Sequence, residues 1–132
     1  MNILSMNIHI KTIPHKQQRY ETCGDYWDTK KGEEFRISKM LDKKYEMLVA
    51  IHELIEKFLA DCKGIKEPDT TAFDMNFEKE RKLGLHDIDE EPGFDPFCPV
   101  FRQHAISTKI ERMLAREIGV NWAEYDSIVN SL

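Results

Sequence analysis

One run of the sequence places ligand-forming side chains at helical spacing: Val49-Ala50-Ile51-His52-Glu53-Leu54-Ile55-Glu56-Lys57-Phe58. On a helix, His52 and Glu56 are one turn apart and project from the same face, where one divalent cation could take both. Glu53 is turned about 100° from His52, which puts it beside such a cation and not on it. A cation lowers the pKa of a water it holds to about 7, and a neighbouring carboxylate can take that proton and pass it to a leaving group. The spacing therefore suits His52 and Glu56 as metal ligands and Glu53 as catalytic general base. Ionised groups inside an apolar helix are costly unless paired or ligated, so something must compensate them.

The segment resembles the active-site helix of the zincin metallopeptidases, an apolar run ending in H-E-x-x-H that follows antiparallel strands. It is also similar to small phage- and bacterium-encoded proteins that carry H-E-L-[IV]-E and have no assigned activity. The zincin resemblance covers about ten residues and the strand-then-helix order. It implies a zinc-type metal-dependent hydrolase, peptidase-like, on a zincin-like fold. Glu56 departs from the pattern, standing where the second histidine belongs. The carboxylate makes the site harder and more anionic, which favours manganese or iron more than H-E-x-x-H would and peptidase activity less.

A third ligand must come from another element. Asp74 and Glu78 are four apart on a second helix, similar to the way glutamate-type zincins take a ligand from a following helix. His104 and Glu111, seven apart, share a face of a third helix with Ser107 and Thr108. Imidazole is the commonest transition-metal ligand, which favours His104 over Glu78, but both stay open. The plainer alternative makes His52 a hydrogen-bonded core histidine, with Glu53 and Glu56 reaching solvent or pairing with lysine. Glu111 would then pair with Lys109 or Arg112, and His86 would lie at the surface.

The elements that position these residues follow from periodicity. Ile8 to Ile13 alternate apolar and polar residues, predicting a half-buried strand that ends at Pro14. Arg19–Trp27 and Glu33–Ile37, joined through Lys31-Gly32, predict a hairpin. From Asp42 to Lys63-Gly64, apolar residues recur at three and four, and the all-round apolar stretch Met47 to Ile51 predicts an enclosed helix. A second helix opens at Pro68-Asp69 and ends near Gly84. Leu85 to Pro99, acidic and with three prolines, reads as a long loop that could wall a site. A third helix spans about Val100 to Ile118, and Asn121-Trp122-Ala123-Glu124 is a capping box opening a fourth. The expected fold is α+β: a small N-terminal antiparallel sheet of about three strands packed on three to four helices.

The 132 residues, 41% hydrophobic and 33% charged, suit a single domain, 1–132. A net charge of −5, with acids concentrated from Glu67 to Asp95, disfavours a nucleic-acid partner. No run of about 18 apolar residues suggests a membrane span. Three cysteines without C-x-x-C spacing suggest a reducing, cytoplasmic setting. Met6-Asn7-Ile8 repeats Met1-Asn2-Ile3, so Met6 is an alternative start. The competing function is non-catalytic, a phage- or mobile-element-type protein whose cluster is a structural metal site or buried polar network and whose surface takes a peptide or protein partner. A two-metal carboxylate bundle is a third reading, which the N-terminal strands argue against.

Overall fold

The computed structural model describes residues 5–132, and the repeated opening Met1-Asn2-Ile3 lies outside them. The chain forms β1 (Ile8–Ile13), β2 (Gly24–Thr29), β3 (Gly32–Ser38), α1 (Lys43–Cys62), α2 (Glu67–Lys82), α3 (Phe101–Glu117) and α4 (Trp122–Asn130). Short 3-10 turns occupy His15–Gln17 and Pro92–Phe94. One three-stranded sheet with four helices is the α+β arrangement expected.

The expected antiparallel sheet is instead mixed. Its order is β1-β3-β2: β2 and β3 form the antiparallel hairpin, but β1 runs parallel to β3, with Ile10 opposite Phe35. The segment from Pro14 to Cys23 carries the chain past one strand position before β2 begins. β3 then fills the vacant middle place and runs the same way as β1. As an edge strand β1 is also more exposed than predicted, with Ile8 at 37% and Ile10 at 44%.

Helix limits follow local chemistry. The Asp42 carboxylate accepts from the Lys44 N–H to start α1, and Asn121 accepts from the Glu124 N–H to start α4. α1 ends at Cys62 with Lys63 as its C-cap, before Gly64 at φ 71°, a backbone state that glycine adopts without strain. α1 packs on β2 and β3 on one side and on α3 on another. Leu48, Val49 and Ala50 join Ile37, Ala115 and Tyr125 in the main core. The enclosure predicted for Met47 to Ile51 is incomplete, because Met47 is 60% exposed on the flank that neither the sheet nor α3 covers. Lys57 is fully covered and donates to Asp28, Glu33 and Asp61 at 2.9, 2.6 and 2.7 Å, which compensates its charge.

The acidic segment after α2 is loop, as expected, apart from its 3-10 turn. Arg81 holds it by donating to the carbonyl oxygens of Asp87 and Glu90. His86 stacks on Phe77, ring centroids 3.7 Å apart. These ties lay Gly93 against α3. No helix among the described residues is long and apolar enough to cross a membrane.

Candidate metal centre

His52 and Glu56 project from α1 towards α3, which runs antiparallel to it and supplies His104 and Glu111. His52 Nε2, Glu56 Oε2 and His104 Nδ1 converge: His52 to Glu56 is 3.2 Å, His52 to His104 is 3.1 Å and Glu56 to His104 is 2.9 Å. Their side chains are 8%, 8% and 12% exposed. These three residues form a group that could hold a metal ion. Three ligands of a tetrahedral zinc, at bonds near 2.0–2.1 Å, lie about 3.3 Å from one another. The three atoms stand close to that spacing, so the residues fit a small divalent cation.

The surroundings orient these donors. Glu111 Oε1 lies 2.7 Å from His52 Nδ1, so an N–H there donates to the carboxylate and leaves Nε2 facing the cluster. Tyr125 donates to the other Glu111 oxygen at 2.5 Å, and Tyr26 donates to Glu56 Oε1 at 2.8 Å, leaving Oε2 inside the cluster. Without a cation, His52 Nε2 and Glu56 Oε2 would oppose two lone pairs unless a proton lies between them. Burial pulls the His52 pKa down, but hydrogen bonds to Glu111 and Glu56 outweigh it and leave the imidazole well above its usual value. Burial pushes Glu56 up, yet hydrogen bonds from His104 and His52 hold it down to about 2. Protons and a cation thus compete for the same three atoms.

Glu53 faces the same cleft, a cavity of about 330 Å³ between β2, α1, α2, α3 and the acidic loop. Its carboxyl is pushed well up, first by burial and then by the Glu56 charge. Two glycines make the geometry feasible. A Cβ on Gly24 would stand 2.7 Å from Glu53 Cγ, and one on Gly93 would stand 2.5 Å from His104 Cγ. Neither glycine carried a sequence signal, because the close approach exists only between elements.

The other candidates stand outside the triangle, although Asp74 and Glu78 line the same cavity. Glu78 is ion-paired with Arg81 at 2.9 Å and is not among the three converging groups. Asp74 reaches the cavity wall and accepts from Tyr20 at 3.0 Å. Glu111 supports His52, where pairing with Lys109 or Arg112 was the plainer expectation. His86 pairs with Glu80 and Glu90, away from the cluster.

Asp74 gives a pH-dependent expectation. Burial, then the Glu56 charge, pushes its carboxyl from 3.8 to about 7, and the Tyr20 hydroxyl pulls it back in part. A carboxyl with a raised folded pKa favours folding fully below its unfolded pKa, and that contribution is lost as pH rises through the folded value. Asp74→Asn should therefore gain on the parent by about 4 kcal/mol between pH 4 and pH 8 in urea unfolding of metal-free protein.

Fold and site together define an α+β protein with a buried two-histidine, one-carboxylate cluster able to hold a metal ion. No family model, curated protein or solved structure matches the chain, and the zincin resemblance gains no support from them.

Proposed function

We propose that the protein is a metal-dependent hydrolase, with His52, Glu56 and His104 as ligands of a divalent cation, zinc foremost. The observation that carries this reading is the near-equilateral triangle of donor atoms, each histidine or carboxylate presenting one atom inward while Glu111 and Tyr26 occupy the other atoms of His52 and Glu56. When bound, such a cation polarises a substrate carbonyl and supplies a nucleophile at neutral pH.

The chain's own residues do the rest. Glu53 stands in the cleft beside the triad, and its raised pKa suits a carboxyl that takes a proton at one step and returns it to a leaving group at the next. Tyr26 holds Glu56 in one orientation. The Arg81-anchored loop walls the cleft and limits bulk water around it. A peptide or ester fits the reaction class.

The test is a panel of peptide and ester substrates with zinc-loaded protein. Glu53→Gln should retain full metal stoichiometry and lose at least about a hundredfold in kcat. If no substrate turns over although metal is bound, the non-catalytic alternative is preferred. That reading has its own support in the Tyr26-Glu56 and His52-Glu111-Tyr125 hydrogen bonds, which would also suit a structural metal site. Two histidines and one carboxylate are likewise a non-haem iron donor set, so elemental analysis of the native protein accompanies the assay.

A further inference from the structure

We propose that the flank of α1 and α3 opposite the metal cluster docks an acidic amphipathic helix of another protein. On α1 this flank presents Met47, Ile51, Leu54 and Phe58, spaced by four, three and four residues. That alternation is the seam spacing of helix-on-helix packing, and it lies roughly on the opposite side of the helix from Glu56. Met47 and Phe58 are 60% and 63% exposed, although both belong to the longest helix of the chain, whose other faces are packed. α3 repeats the pattern with Ile106, Ile110 and Met113, spaced by four and three, Met113 being 62% exposed. Because α3 presents His104, Thr108 and Glu111 to the cavity, this second stripe falls on the same flank as the first.

β1 supplies a wall. Ile8 and Ile10 lie on the face of the sheet that carries Glu33 and Phe35, the face α1 covers through Lys57-Glu33 and Tyr26-Glu56. α1 packs on β2 and β3, so β1 extends past it and its two isoleucines overhang. The result is a corner between β1 and α1. A helix lying 8–10 Å from α1 would fill it. Met47, Phe58, Met113, Ile8 and Ile10 are all exposed large apolar residues, and such residues gathered in one place mark an interaction surface.

Charge selects the occupant. Lys43, Lys44, Arg102 and Lys109 flank the stripes and are all exposed, against Glu117 and the Lys57-bound Asp61. This basic rim belongs to a chain of net charge −5. A second copy would set these cations against one another, whereas glutamates beside an apolar seam would pair with them.

The probe is a synthetic helical peptide with leucines at alternating three- and four-residue spacing flanked by glutamates, with a version carrying lysine for every glutamate as control. Fluorescence anisotropy on the whole protein should give micromolar-range binding of the acidic peptide. Binding at least tenfold weaker is expected for the lysine peptide and for Met47→Glu and Phe58→Glu. Both positions are solvent-facing, so circular dichroism should show these variants folded. The proposal is overturned by absence of binding, by equal affinity for the two peptides, or by insensitivity to both variants. Sedimentation showing a dimer that Met47→Glu dissolves, or capture by phosphatidylglycerol vesicles in place of the peptide, overturns it as well.

Discussion

Adding zinc to metal-free protein should raise its melting temperature by about 10 °C when free zinc exceeds the dissociation constant a thousandfold. Binding to the folded state alone at that excess contributes about 4 kcal/mol, and for a domain of this size each kcal/mol moves the midpoint by about 3 °C. His52→Ala, Glu56→Ala and His104→Ala should each remove most of the shift, since each withdraws one of three converging atoms. Calorimetric titration at pH 7 should also show proton release, because His52 must give up its Nε2 proton before it can ligate. Binding should weaken as pH falls. A shift unchanged in all three variants would place the cation elsewhere and remove the basis of the hydrolase reading.

Gly93→Ala should be the single-methyl change that most damages the metal centre. The added Cβ would lie 2.5 to 2.6 Å from three atoms of the His104 ring, so either the ring or the 3-10 turn carrying Gly93 must shift. His104 is packed by Phe94 at 4.6 Å and by His52 at 4.7 Å between ring centroids, which leaves the ring little room to retreat. We expect about 2 kcal/mol of lost stability and at least a hundredfold loss in zinc affinity. Gly24→Ala is the matched comparison. There the clash falls on the Glu53 carboxylate, so kcat should drop while zinc affinity stays near that of the parent. Equal effects of the two substitutions on affinity would show that the glycines serve only general packing.

The sequence was most informative where structure is local. The Asp42 cap, the Lys63-Gly64 stop, the Asn121 capping box and the His52-Glu56 spacing all depend on residues within one or two turns, and each lies where periodicity placed it. The direction of β1 was not legible, because it depends on how far the Pro14–Cys23 segment travels, and no side-chain alternation records that distance. Met47 to Ile51 read as enclosed because an apolar seam awaiting another helix and an apolar core face have the same letters. The choice between His104 and Glu78 needed the docking of α3 on α1 and the Arg81-Glu78 ion pair. Gly24 and Gly93 were invisible for the same reason, since a contact between distant segments leaves no spacing to count.

The three converging residues are unevenly spread along the chain: His52 and Glu56 share one turn, while His104 comes 48 residues after Glu56. A cation bridging them would act as a reversible cross-link, closing a ring that contains all of α2 and the acidic loop. In chain-entropy terms a tie across that many residues restricts the unfolded ensemble by about 4 kcal/mol, as a disulfide there would. The chain has no cysteine pair positioned to do this: Cys62 and Cys98 fall inside the ring, and both are free thiols. Chelation should therefore loosen this 48-residue excursion as a unit, and protease cleavage should begin within it while the β2-β3 hairpin is still intact.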